Sequence, residues 1–527
     1  MSGVGRSART RPLLAALAGL VALALSLGGC ALGPVVSGSD PNSGAADDFD
    51  PTQGVPAELQ QFYSQQLDWS DCGDGADCAA LTLPLDWSQP QGDTVSVALA
   101  RKAADGSGHH RALVMNPGGP GAPALQYATD KSYRDYFFGS ALQREFDIVT
   151  FDPRGVAGKS TPVRCVDAEQ MDHYLYDLPA APRGTSAYIA ESEANSKAFG
   201  AACQANTGPL LGHVDTASVA RDLDVLRAAM GQPQLDYLGY SYGTRIGAAY
   251  ADLFPDRVGA FVLDGAVDPS LSAEDMLVEQ VGGFESAARS FLQNCVSNAS
   301  CPFTGTADEA ATQLAALIGG LDQHPLSAAD GRQLGSDTMV TAISSALYSR
   351  SQWGTLARAI TSVSQGDARG AMALADQYNS RSADGTYEDN STEVLTAVNC
   401  IDLPADQTPE GVQRLNERIR AAGPVFGQFQ ANGTAMCSGW PVPPTGAPHK
   451  VSATGSAPIM VIGTTGDPAT PYAWAQSLAD QLDHGFLVTN VGEGHTAYNS
   501  MASACITRAV ERFLVAGEQP ADGLRCE

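Results

Sequence analysis

Short apolar runs alternate with longer, one-sided apolar stretches from about residue 96 to residue 265, and again from residue 458 onward. Ser96 to Arg101 (SVALAR) alternates as a half-buried strand does. Ala112 to Asn116 (ALVMN) and Asp147 to Asp152 (DIVTFD) are almost wholly apolar, which suits strands covered on both faces of a parallel sheet. Leu235 to Tyr240 (LDYLGY) and Ala260 to Gly265 (AFVLDG) follow, each after a helix-like stretch. Thr216 is placed to cap the helix carrying Val219, Leu223 and Leu226, and Gly231 to close it. Strand-like runs return at Pro458 to Gly463 and Gly485 to Gly492, and a helix over about Cys505 to Val515 comes last. This order predicts an α/β fold with a mostly parallel sheet.

Between about 271 and 450 the texture changes. MLVEQVGGFESAARSFLQNC and ATQLAALIGGL read as helices, and few runs read as strands. A helical block inserted into an α/β sheet predicts a cap over the active-site end. The expected organisation is a first core part over 59–270, a helical cap over 271–450 and a second core part over 451–527.

The N-terminal stretch differs again. Arg6, Arg9 and Arg11 precede an apolar segment, Leu13 to Leu27, too short for a comfortable membrane span. It ends in Leu27-Gly28-Gly29-Cys30, where small residues before a cysteine resemble a bacterial lipobox. In that reading 1–29 is a signal peptide and Cys30 carries lipid. Residues 30–58 are then a flexible tether to the outer face of the cell membrane. Ordinary secretory cleavage near Ala31 is the alternative, and both predict export.

Charge and cysteine content narrow the class. The 527-residue chain has 58 Asp+Glu against 31 Lys+Arg, a net charge of −27. That excludes a nucleic-acid partner, whose phosphates demand basic neutralisation. Setting Cys30 aside, the 11 cysteines leave ten, an even number that in an exported chain favours disulfides over thiols or metal ligands. They fall as Cys72 and Cys78, Cys165 and Cys203, Cys295 and Cys301, Cys400 and Cys437, Cys505 and Cys526. Neighbour pairing is the simplest of the possible connectivities. No Cys-x-x-Cys or paired histidine suggests zinc.

Chemistry enters at Gly239-Tyr240-Ser241-Tyr242-Gly243, a G-x-S-x-G element. A strand ending near Leu238 and a helix over Thr244 to Phe254, stopped by Pro255, would make a sharp turn that lifts the Ser241 hydroxyl above the sheet. A serine needs a base, and the base an orienting acid. Of eight histidines, His495 (GEGHTAY) follows the last strand and so falls at the carboxyl end of a parallel sheet. His484 precedes that strand, His109 and His110 sit in a polar turn, and His173, His213, His324 and His449 have no such placement. Two acids end strands on the same side, Asp467 (GTTGDPATPY) and Asp264 (LDGAVDP). The order Ser241, Asp467, His495 is that of α/β-hydrolases and favours Asp467. The oxyanion donors are expected to be the backbone N–H groups of Tyr242 and of Gly119 in NPGGPG, with Gly118 the competing neighbour. FDPRGVAGKS is expected to brace that loop, with Asp152 and Arg154 as structural ions.

With NPGGPG, FDPRGVAGKS, YLGYSYGTRIGAAYADLFPDRVGAFVLDGAVDP, NCID and GDPATPY together, the chain resembles the tripeptidyl-aminopeptidase branch of the α/β-hydrolases. Within that branch it is most similar to actinobacterial cell-envelope serine hydrolase lipoproteins. The resemblance implies an α/β-hydrolase fold and serine hydrolysis without metal or organic cofactor. It implies action on peptide N-termini in the cell envelope, with ester cleavage as a side activity. Its triad falls on Ser241, Asp467 and His495. One departure is Pro117, where related aminopeptidases often carry the histidine of a His-Gly-Gly loop.

Three function classes follow: an exopeptidase, a carboxylesterase or lipase with the same triad, and a non-catalytic envelope binding protein. The triad and oxyanion loop weigh against the third. A cap carboxylate able to pair with a substrate ammonium separates the first two. Asp402 is the expected candidate, because NCID ties it beside Cys400; Glu393, Asp268 and Glu279 are the others.

Overall fold

The apolar runs are strands of one ten-stranded sheet. The computed structural model describes residues 49–108, 110–298, 301–431 and 433–527. In chain order the strands are β1 (Ser70–Gly73), β2 (Ala76–Pro84), β3 (Thr94–Lys102), β4 (Arg111–Asn116), β5 (Phe146–Phe151), β6 (Leu235–Tyr240) and β7 (Val258–Asp264). A two-stranded ribbon, β8 (Leu326–Ser327) and β9 (Gln333–Leu334), stands apart; β10 (Ile459–Gly466), β11 (Gly485–Glu493) and β12 (Arg525–Cys526) complete the main sheet. Its order is β1-β2-β3-β5-β4-β6-β7-β10-β11-β12. The first three strands join antiparallel as far as β5, and every later neighbour is parallel. This is the α/β-hydrolase fold.

Alternate residues of each central strand feed two different cores, as a period of two requires. Tyr237, Phe261 and Leu263 pack with Val219, Leu223 and Ile246 on one face. Leu238, Val262, Met460 and Ile462 pack with Val510 and Phe513 on the other. All twelve of these side chains are fully or almost fully buried. Each such burial is worth about 1.5–3 kcal/mol, so the sheet is a rigid platform for the loops at its carboxyl edge.

The block inserted between β7 and β10 is helical, with Ala273–Val296, Ala307–Gln323, Ser336–Leu347, Trp353–Ser364, Arg369–Tyr378, Ser391–Asp402 and Pro409–Ala422 as its longer elements. It has its own core around Phe291, Leu314, Ile343, Leu356 and Phe426. The helices after β5, Ala168–Tyr176 and Ser186–Thr207, were not anticipated by the sequence reading. They join this block: Tyr176 enters its core, and Arg183 bonds Ser336 and Asp337 at 2.9 and 2.7 Å.

One capping expectation is corrected. Asp215, not Thr216, is the N-cap of helix Thr216–Ala229, its carboxylate accepting from the Ser218 N–H at 2.8 Å. Aspartate is the stronger cap, and Thr216 is engaged elsewhere. All ten described cysteines form disulfides in neighbour pairs, Cys72–Cys78, Cys165–Cys203, Cys295–Cys301, Cys400–Cys437 and Cys505–Cys526. Cys30, the expected signal segment and most of the expected tether lie outside the described residues.

Candidate active site

Strand β6 ends at Tyr240, and helix Tyr242–Leu253 begins two residues on, earlier than the sequence suggested. Ser241 alone makes the turn, with φ 55° and ψ −126°. A left-handed φ at a non-glycine residue costs on the order of 1–3 kcal/mol and is retained where the surroundings hold it. Here the Ser241 N–H donates to the Asp264 carbonyl at 2.9 Å, and the Ser241 carbonyl accepts from Thr244 N–H and Oγ1 at 2.9 and 2.6 Å.

His495 lies in the loop after β11, with its side chain 9% exposed. Nδ1 is 2.9 Å from both oxygens of Asp467. That carboxylate also accepts from the N–H groups of Ala469 and Thr470 at 2.9 Å each and from Thr496 N–H at 3.3 Å. It is a fixed acceptor, so the imidazole proton belongs on Nδ1 and the Nε2 lone pair is left as base. Nε2 is buried and has no hydrogen-bond partner among the described residues. Burial alone would push this imidazole down, but the charge and hydrogen bond of Asp467, with Asp264 beyond it, raise it above the usual histidine range.

Asp264, the competing acid, faces elsewhere. Its oxygens accept from Ala497 N–H at 2.9 and 3.0 Å and from Tyr498 N–H at 2.7 Å. Burial pushes it up to about 6, against those hydrogen bonds. It therefore holds the loop that carries His495 while Asp467 holds the ring. Thr470 was not foreseen: its hydroxyl donates to Asp467 at 3.1 Å and lies 3.3 Å from His495 Nδ1. Its position three residues after the acid was the available signal.

The NPGGPG loop crosses directly over the Ser241 turn. A Cβ at Gly118 would stand 2.6 Å from the Tyr240 carbonyl, 2.9 Å from Ser241 Cβ and 3.1 Å from Tyr242 N, so no larger residue fits. The Gly118 N–H donates to Asn116 Oδ1 at 3.0 Å, which takes it out of contention as an oxyanion donor. No such bond engages Gly119 N–H among the described residues. Tyr242 N–H opens its helix, where first-turn N–H groups lack intrahelical partners. Behind the loop Asp152 accepts from Ala124 and Leu125 N–H at 2.6 and 3.3 Å. Arg154 grips Asp222 with two bonds of 2.6 and 2.7 Å. Both are buried braces.

The chain is similar over nearly its whole length to known relatives. Serine protease Hip1 of Mycobacterium tuberculosis is 36% identical over 97% of this chain and 96% of its own. The chain belongs to the tripeptidyl-aminopeptidase branch of the α/β-hydrolases. It is a serine hydrolase. Carboxylesterase B of M. tuberculosis is 35% identical over 98% of this chain and 99% of its own. Tripeptidyl aminopeptidase of Streptomyces lividans is 29% identical over 87% and 86%. The family model described as TAP-like protein matches residues 423–526, which include Asp467 and His495.

Within this branch member the expected amine-binding residue, Asp402, is committed elsewhere. Its carboxylate accepts from Thr216 N–H at 3.1 Å and from the Thr216 hydroxyl, and lies 4.0 Å from Arg245. Burial raises its pKa, against Arg245 and Thr216. The cleft it lines, about 600 Å³, is bounded by Trp87, His213, Arg221 and His449 and includes neither Ser241 nor His495. Asp402 thus ties the helical block to helix Thr216–Ala229, and its engagement by Thr216 makes it a poor ammonium partner. Among the described residues no cluster of side chains is arranged for a metal ion, and no helix is long and apolar enough to cross a membrane. His109 lies outside the described residues.

Proposed function

We propose that the protein removes short peptides from free N-termini through an acyl-enzyme on Ser241. The observation that carries the reading is the Asp467–His495 pair at 2.9 Å, with a buried, unpartnered Nε2, on the same sheet edge as the Ser241 turn. In this mechanism Nε2 takes the Ser241 proton as Oγ attacks the scissile carbonyl. The N–H groups of Tyr242 and Gly119 hold the oxyanion, an interaction worth roughly 3–4 kcal/mol per donor in comparable sites. The imidazolium then protonates the leaving amine, and water completes the cycle by the reverse route.

The relative named tripeptidyl aminopeptidase and the one named serine protease support peptide over ester. The one named carboxylesterase B favours a second reading, an esterase or lipase with the same residues and an acyl pocket. The proposal places the enzyme at the outer face of the cell membrane, in the cell envelope, anchored through lipid on Cys30. Its core is divided as 59–270 and 451–527 around a cap over 271–450. Mass spectrometry of a digested heptapeptide tests the activity: tripeptide release from the free form, with the N-acetylated form spared, is the expected result. Equal cleavage of both forms would promote the esterase reading. Detergent partitioning that survives Cys30→Ala would remove the anchor.

A further inference from the structure

A peptidase that starts from a free N-terminus has to hold an ammonium at a set distance from its serine. Four acidic residues around the cap were open to that role, and three have their oxygens engaged. Asp402 is bound to Thr216. Asp268 accepts from Ser270 N–H and Oγ at 2.9 and 2.7 Å and from Gln481 at 2.8 Å. Glu279 accepts from the Trp474 indole N–H.

Glu393 is different. It sits in the first turn of helix Ser391–Asp402 and is 8% exposed. Its carboxylate has no hydrogen bond to another residue and no ion pair among the described residues; its own backbone N–H is its one hydrogen-bond donor. The nearby charge acting on it is Asp389, which is of the wrong sign to stabilise it. A buried carboxylate without a cation is costly.

Its placement fits an arriving substrate. The first turn of its helix packs on the oxyanion loop: a Cβ at Gly121 would stand 2.9 Å from both the Ser391 carbonyl and Val394 Cβ. Gly121 is two residues along from Gly119. A three-residue peptide extended from the oxyanion donors spans roughly 10 Å.

The geometry points to Glu393 as the carboxylate that receives the substrate's N-terminal ammonium. This deepens the aminopeptidase reading and rests on it. Burial, with Asp389 adding to it, pushes the Glu393 carboxyl up to about 7, so an incoming ammonium would find a group whose ionised form it stabilises. The ammonium donates to a carboxylate shielded from water, where such a pair is stronger than on the surface.

The test compares kcat/KM for a tripeptide anilide with a free N-terminus and for its N-acetylated form, in wild type, Glu393→Gln and Glu393→Asp. Wild type is expected to prefer the free amine by about 30-fold or more, because acetylation leaves the buried carboxylate unpaired. In Glu393→Gln that ratio falls toward one through loss on the free amine, and Glu393→Asp, which keeps the charge on a shorter arm, lies between. A wild-type ratio near one overturns the aminopeptidase reading itself. A wild-type preference kept in full by Glu393→Gln overturns only the assignment to Glu393. An equal loss on both substrates in Glu393→Gln, with thermal midpoint lowered, would make Glu393 a brace for the oxyanion loop and also overturn it. Should Glu393→Gln not fold, the intermediate ratio of Glu393→Asp decides alone.

Discussion

The backbone N–H of His495 donates to the carbonyl oxygen of Tyr348 at 2.8 Å, which ties the candidate base to the helical block as well as to the sheet that supports Ser241. The Tyr348 ring also meets the imidazole edge-on, with centroids 5.2 Å apart, and Ser349 pairs with Gly494 in an isolated bridge. The cap therefore forms part of the catalytic geometry.

Gly494 reports on that tie. Its φ is +111°, and an added Cβ would stand 3.1 Å from the Tyr348 carbonyl. Gly494→Ala is expected to cost on the order of 1–3 kcal/mol of local strain and to move the imidazole. A fall in kcat of about tenfold or more should follow, since misplacement near 1 Å costs that much and more. Steady-state kinetics on any good substrate checks it, and an unchanged kcat would mean that the cap and the base are independent.

The two acids near His495 should separate cleanly. Asp467→Asn removes the acceptor that sets the tautomer, and kcat is expected to fall by about 10⁴-fold. Asp264→Asn keeps the Nδ1 partner and loses one of the acceptors for Ala497 and Tyr498. It should lower stability by about 1–3 kcal/mol, with a much smaller effect on kcat. Urea unfolding beside kinetics distinguishes them, and a reversed pattern would hand the acid role to Asp264.

What was legible in the chain was what local pattern or chain order encodes. The turn at Ser241 followed from an apolar strand, small flanking residues and a helix, all within a few positions. The Asp467–His495 pairing followed from the order of the strands that end beside them. Long-range engagement was not legible. Asp402 looked free beside Cys400, yet its partner Thr216 is 186 residues away in sequence. The same blindness hid the joining of helices Ala168–Tyr176 and Ser186–Thr207 to the cap, because an amphipathic stretch does not name the surface it will cover. The bond that engages Gly118 N–H with Asn116 is likewise a detail of loop geometry that no sequence pattern encodes.

Asp402 should behave as a structural residue. Asp402→Ala leaves the Thr216 N–H and the nearby Arg245 without their acceptor, in a site where the aspartate is 4% exposed. A loss of about 2–4 kcal/mol in unfolding free energy is expected. The ratio of rates on free and N-acetylated tripeptide anilides should stay at its wild-type value. A selective loss on the free amine would return the ammonium role to Asp402 and displace Glu393.

The pH profile of kcat/KM carries the electrostatics of the pair. His495 must be neutral at Nε2 to accept the Ser241 proton, so activity rises as pH climbs through its pKa. Burial lowers that pKa, and Asp467, with a smaller share from Asp264, raises it by more, so the acid limb should be centred above the ordinary histidine value of about 6.5. In Asp467→Asn the burial remains and the main attraction goes, so the midpoint of the residual activity should move below about 6.5. Asp264→Asn should move it down by less, because Asp264 acts at longer range and is itself pushed up to about 6. The three midpoints are expected to fall in the order wild type, Asp264→Asn, Asp467→Asn, from highest to lowest. The measurement is kcat/KM from about pH 5 to 9 on an uncharged ester, so that substrate and Glu393 ionisation do not enter. A wild-type midpoint below that of Asp467→Asn would mean that desolvation governs this imidazole and that Asp467 orients it without raising its basicity.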